Sequence, residues 1–137
     1  MREILFRGKH IHALPPNEHL DGRWIYGYLS DENYINSPEL EGEFLVDPET
    51  VCQYTGLTDK TGRKIFENDI IECKRNNQHF QSQIEWDSMC GGFMFQDTKE
   101  GSAVGLDALL SGGIYNDFKL IGNIFDNSEL IGSDKQG

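Results

Sequence analysis

A chain of 137 residues holds one ordinary domain, or a small barrel with an extension. Its net charge of −11 and pI of about 4.6 repel phosphates and exclude generic nucleic-acid binding as an expected activity. No apolar run approaches the ~20 residues that span a bilayer, and Met1-Arg-Glu-Ile-Leu-Phe-Arg7 lacks the apolar stretch and cleavage site of a signal peptide, so the expected location is the cytoplasm.

Ile4-Leu-Phe6 reads as a first strand, edged by Arg2 and Arg7. Residues 8–21, with Pro15-Pro16, His10, His12 and His19, have little periodicity and read as a connecting loop. Arg23-Trp-Ile-Tyr-Gly-Tyr-Leu29 is a strong strand. Trp24, Tyr26 and Tyr28 fall on one face, and Ile25, Gly27 and Leu29 on the other, which predicts neighbours on both sides. Ser30-Asp-Glu-Asn33 is a turn, Phe44-Leu-Val46 a short strand ended by Asp47-Pro48, and Thr50-Val-Cys-Gln-Tyr54 leads into the centre of the chain.

The central stretch reads as strand, tight turn, strand, second turn, strand. Gln53–Thr58 and Arg63–Phe66 are the arms of a hairpin closed by Asp59-Lys-Thr-Gly62. Asp accepts hydrogen bonds from backbone two residues on, and Gly takes φ > 0 at no steric cost, so a type I turn ending in a left-handed Gly62 is expected. Gly56 and Gly62, with Lys60 and Lys64, are the glycines and lysines of a phosphate loop only superficially, because no helix follows. Glu67-Asn68-Asp69 interrupts the pattern, and Asn68 tolerates the left-handed region. Ile70-Ile-Glu-Cys-Lys74 resumes as a strand.

Arg75-Asn-Asn-Gln78 is a polar hairpin loop. In Phe80-Gln-Ser-Gln-Ile-Glu-Trp86 the alternation predicts Phe80, Ser82, Ile84 and Trp86 inward and Gln81, Gln83 and Glu85 toward water. Asp87–Gly92 is a loop, Phe93-Met-Phe95 pairs back, and Gln96–Gly101 is a polar loop. Gly105–Leu110 is too short for a free helix and reads as one helical turn ended by Gly112-Gly113. Phe118–Phe125 is the last strand, with a bend expected at Gly122.

Three motifs in order carry a family resemblance. Tyr54-Thr-Gly-Leu-Thr-Asp-Lys-Thr-Gly-Arg-Lys-Ile-Phe-Glu-Asn-Asp-Ile70 is long and specific. Arg2-Glu-Ile-Leu-Phe-Arg7 opens the chain, and Leu120-Ile-Gly-Asn-Ile-Phe-Asp-Asn127 closes it, followed by Glu129-Leu-Ile131. Across residues 2–131 the chain resembles the YopX family, small proteins of phages and prophages in Gram-positive bacteria. It departs from the family pattern at Asn68, where Gly is usual; Asn holds the same backbone. The resemblance implies a β-rich fold with an SH3-like barrel. It implies no enzyme activity and transfers no catalytic residue.

Five strands between residues 52 and 125, with one helical turn before the last, suit the same architecture: mainly β, a small SH3-like β-barrel with an N-terminal β extension. Residues 1–50 are read as the extension, residues 51–131 as the barrel and residues 132–137 as a C-terminal tail.

Candidate sites are few. His10 and His12 share a face if extended, and His19 is near, but zinc needs three or four ligands in a fixed geometry that nothing here imposes. His79, Glu85, Asp87 and Cys90 flank the Trp86 strand without the context of an activated thiol. Glu67 and Asp69 invite an acid–base reading, yet Asp69 is better placed to satisfy backbone N–H groups of its own turn. Gly56, Asp59, Gly62, Asn68 and Asp69 are therefore read as structural turn residues. Trp24, Tyr26, Tyr54 and Trp86 are the candidate peptide-binding aromatics, since exposed rings grip proline-rich or cationic peptides. Against this, so small a domain needs such rings in its core. Cys52, Cys73 and Cys90 are odd in number and widely spaced, which predicts free thiols in a reducing compartment.

The expected role is non-enzymatic, without cofactor or metal: a phage or prophage accessory protein in the bacterial cytoplasm that binds a protein partner and self-associates through its first fifty residues. Direct nucleic-acid binding and membrane association are not expected. Two rivals remain. An acidic mimic of nucleic acid would need carboxylates in a phosphate-like array, and a small hydrolase would need a pocket with converging polar groups.

Overall fold

The structure is a computed structural model in which residues 4–12, 20–31, 33–75, 77–97, 101–109 and 115–130 are described. Strands make up 61% of these, and every strand pairing among them is antiparallel. The mainly β expectation holds. Pro15-Pro16, His19, Gly112-Gly113 and the tail from residue 131 lie outside the described residues. The chain divides into two compact units, Met1–Gly56 and Leu57–Gly137.

In the first unit, β1 (Phe6–Lys9), β2 (Trp24–Asp31), β3 (Tyr34–Ser37), β4 (Gly42–Leu45) and β5 (Cys52–Thr58, which runs on into the second unit) are ordered β4-β3-β2-β1-β5. β2 lies between β1 and β3 in the plane of the sheet, but of its two faces the one with Ile25 is buried and the one with Tyr26 and Tyr28 is exposed, so the expectation from two apolar faces is not met. Ile25, Ile35 and Val46 are fully buried, with Phe6, Phe44 and Val51 packed against them. Gly27 lets β2 and β3 approach: a Cβ there would collide with the backbone oxygen of Asn36. The short β3 and the 3₁₀ turn Pro48–Thr50 were not expected. That turn is capped by Asp47, whose carboxylate accepts the N–H of Glu49 at 3.0 Å, and Pro48 supplies the preset φ of a first helical residue.

In the second unit, the end of β5 is followed by β6 (Lys64–Phe66), β7 (Asp69–Arg75), β8 (Gln78–Gln83), β9 (Glu85–Asp87), β10 (Gly92–Asp97), β11 (Ser102–Gly105) and β12 (Tyr115–Asn123). From Cys52 to Asn123 there are thus eight strands where five were expected. Six of them form two three-stranded sheets, β12-β7-β8 and β11-β10-β9, while β6 pairs with β5 and completes a six-stranded sheet ordered β4-β3-β2-β1-β5-β6; none of the described sheets closes into a barrel. The helical turn near residue 106 is present as a 3₁₀ turn, Leu106–Leu109, and a further one covers Ser128–Leu130. One core joins both sheets: Ile71, Phe80, Ile84, Phe95, Leu106 and Tyr115 are buried together. Phe80 and Phe95 stack at 6.3 Å between centroids, and Tyr115 meets Phe95 edge-on at 5.3 Å.

Two expectations are corrected here. The strand predicted over Phe80–Trp86 breaks at Ile84, whose N–H goes to Asp69 O and whose carbonyl accepts from Asn68 N. Phe80, Ser82 and Ile84 are buried as predicted, but Trp86 belongs to a different sheet and is 49% exposed. Gln96–Gly101 is not wholly a polar loop either: Asp97 ends β10 and is fully buried. The bend at Gly122 is seen as a register shift of β12 against β7 between Leu120 and Gly122.

Candidate functional site

The expected turn residues occupy the geometry their chemistry suggests. Gly56 and Gly62 have φ of 93° and 90°, and Asn68 of 70°. Asp59 Oδ1 accepts the backbone N–H groups of Thr61 and Arg63 at 3.0 Å each and the Thr61 hydroxyl at 2.7 Å. Its Oδ2 accepts the N–H of Leu120 at 3.0 Å, and the Arg63 guanidinium lies 3.3 Å away. Burial raises the pKa of this carboxyl, but the donors from Leu120, Thr61 and Arg63 outweigh it and hold the group well below the usual carboxylate range. Asp69, also buried, accepts the N–H of Phe66 at 2.7 Å, which is the satisfaction of local backbone expected of it.

The four candidate aromatics do not form one site. Tyr54 is buried. Trp24 is half-buried on β2, where β1 lays Arg7 4.4 Å and Lys9 5.4 Å from its ring centroid. Tyr26, two residues on, is 39% exposed. Trp86 belongs to the second unit and leans on Phe93 edge-on at 5.1 Å. The tyrosine surface extends beyond the expected residues. Tyr28 pairs with Asn36 across β2–β3, and Tyr34, two residues from Asn36, shares that face; they are 55% and 41% exposed. Tyr28 was legible on its strand, whereas Tyr34 sits in a strand too short to be recognised.

The histidines and cysteines are dispersed. His10 is buried, with Nδ1 2.6 Å from Leu45 O and its ring edge-on to Phe44, while His12 is exposed. Among the described residues no group of three or more His, Cys, Asp and Glu is placed to hold a metal ion. Cys90 is exposed in the turn between β9 and β10, and its hydrogen bond to Asp87 raises the thiol pKa, the opposite of activation. His79 lies on β8, away from that turn in the chain. Cys52 and Cys73 are buried thiols. Burial, reinforced by Asp97 and Glu72, pushes the Cys73 thiol up to about 12.

Two polar groupings were missed. Inside the second unit, Asp97 accepts from Arg75 Nε at 2.6 Å and from the Tyr115 hydroxyl at 2.7 Å. On the β7–β8–β12 surface, Lys60, Lys74, Lys119 and His79 line a groove of about 170 Å³ together with Glu72, Asp117, Cys73 and Phe118. Asp117 pairs with Lys60 at 2.7 Å, and Glu72 with Lys119 at 3.7 Å. No sequence signal marks either grouping, because each draws on segments far apart in the chain.

Among the described residues no helix is long and apolar enough to cross a membrane. No curated protein matches this chain. The opening motif Arg2–Arg7 lies outside the match, but the central and closing motifs, the left-handed corner at Asn68 and the mainly β fold agree with a match of residues 18–132 to the YopX protein family, and the chain belongs to that family.

Proposed function

We propose that this YopX protein is a non-enzymatic phage or prophage accessory protein that works in the bacterial cytoplasm by holding another protein, and that it does so as a homo-oligomer. The observation that carries this reading is the tyrosine face of β2 and β3, where Tyr26, Tyr28 and Tyr34 stand exposed on one side of a sheet whose other side is core. Tyrosine gives large, rigid contact area with a polar tip, which is why it is enriched at interfaces and among the residues that carry their energy. The second unit is read as an SH3-like barrel with an open seam: support comes from two three-stranded antiparallel sheets around one core, with a 3₁₀ turn before the last strand.

The test places a photo-crosslinking residue at position 28 of the full chain in host cells that carry the phage or prophage. A discrete protein adduct that is lost with Tyr34→Asp is expected. The reading fails if position 28 gives no more specific adduct than exposed Glu49.

A further inference from the structure

We propose that the groove on the β7–β8–β12 surface is a binding site for a single phosphate group. On a chain of net charge −11 with only 12 lysines and arginines, three lysines and a histidine converge on one small groove. The sheet register puts them there. Lys119 stands opposite Glu72, Asp117 opposite Lys74, and Lys74 opposite His79, so these side chains share one face across three strands. Neighbouring strands lie about 4.8 Å apart, which sets adjacent cationic tips close enough to reach oxygens of one tetrahedral anion. Lys60 joins from the β5–β6 turn.

The two carboxylates in the groove already have cations, Lys60 for Asp117 and Lys119 for Glu72. Lys74 makes no ion pair among the described residues, so three lysines against two carboxylates leave one positive charge in surplus. An ammonium carries three donors, and a lysine that holds a carboxylate retains donors for a ligand. The hydrogen bond from Lys60, aided by the fields of Lys74 and His79, lowers the pKa of Asp117, so the groove favours negative charge. Pockets for drug-sized ligands start near about 300 Å³; at about 170 Å³ this groove suits one oxyanion group. A dianion matches the converging cations better than a monoanionic carboxylate does. The inference does not rest on the protein-binding reading, and the failure of either leaves the other standing.

The full chain is titrated with inorganic phosphate by NMR, with ionic strength held constant by chloride. Saturable shifts confined to the amides around Glu72, Lys74, His79 and Lys119 are expected. Lys74→Gln should weaken binding about fivefold or more, the scale of one lost charge near a screened surface. Asp117→Asn should tighten it by a similar factor, about fivefold, by removing a repulsive carboxylate and releasing Lys60; a gain of this kind cannot come from misfolding. Lys9→Gln, in the other unit, should bind as the unchanged chain does. Two further probes separate the sources of the phosphate. Tighter binding of a phosphoserine peptide than of glycerol phosphate assigns the group to a protein side chain, and the reverse order assigns it to a small ester. Linear, unsaturable shifts spread over lysines of both units would overturn the proposal, as would equal affinities of the Lys74→Gln, Asp117→Asn and unchanged chains.

Discussion

Asp59 Oδ2 accepts the backbone N–H of Leu120, a hydrogen bond that ties the β5–β6 turn to a strand 61 residues away. The same carboxylate organises its own turn through Thr61 and Arg63, so its removal strands several donors at once. Asp59→Ala should cost about 3 kcal/mol, from the loss of a charged acceptor and the desolvation of the groups it satisfied. Because the folded-state pKa is depressed, the stabilisation is present above the unfolded value of about 4 and is lost as the pH falls below it. Asp59→Asn should flatten that part of the acid limb. Urea midpoints measured at about pH 6 and about pH 3 check this; parallel losses in both proteins would place the linkage elsewhere.

Two glycine substitutions should act by different physics. Gly62 has φ of 90° and open space where a Cβ would stand, so Gly62→Val should cost about 1 kcal/mol or more through backbone strain alone. Gly27→Ala places its methyl against the Asn36 backbone oxygen and should cost about 3 kcal/mol through overpacking. Thermal unfolding of the two variants tests the order, and a neutral Gly62→Val would refute the strain argument.

Arg75 and Asp97 form a buried ion pair completed by Tyr115. Arg75→Met leaves a carboxylate in the core and should cost about 3 to 5 kcal/mol. Tyr115→Phe removes one hydrogen bond to a charged group and should cost about 1.5 kcal/mol. Denaturant titration gives both numbers. A loss under about 1 kcal/mol for Arg75→Met would mean that Arg75 is not what neutralises Asp97.

Duplex DNA should not bind at physiological salt. The charge of −11 opposes counterion release, and a groove of six charged or titratable side chains is not a track along a helix. Sub-micromolar affinity in a fluorescence-anisotropy assay would contradict this.

Light scattering of the full chain should report a homo-oligomer, and Tyr28→Asp combined with Tyr34→Asp should shift it toward monomer. Charges are depleted at interface cores, and both tyrosines stand exposed on one face. An unchanged chain that is monomeric at tens of micromolar would end the oligomer reading.

The parts of this molecule legible in sequence are those whose chemistry is local. Asp59, Gly62, Asn68 and Asp69 act on backbone within a few residues of themselves, and their side-chain types announce it. Trp86 was misplaced because alternation carries no information about a break such as the one at Ile84, which is made by hydrogen bonds to Asn68 and Asp69. Tyr34–Ser37 and Ser102–Gly105 are too short to show a period. Asp97 looked like a loop residue because it is followed by Thr98-Lys-Glu100; its partners Arg75 and Tyr115 lie 22 and 18 residues off. The lysine groove depends wholly on register, which no single segment contains.

The cysteines provide a built-in reporter of opening. Only Cys90 is exposed, while Cys52 is buried in the first unit and Cys73 in the second. A thiol reagent added to the native protein should therefore modify one sulfur at once and the other two only as their surroundings unfold. With Cys90 replaced by serine, mass spectrometry would read the remaining two as separate clocks. Equal rates at Cys52 and Cys73 would make the two units one cooperative body, and unequal rates would rank them by the free energy of their own opening.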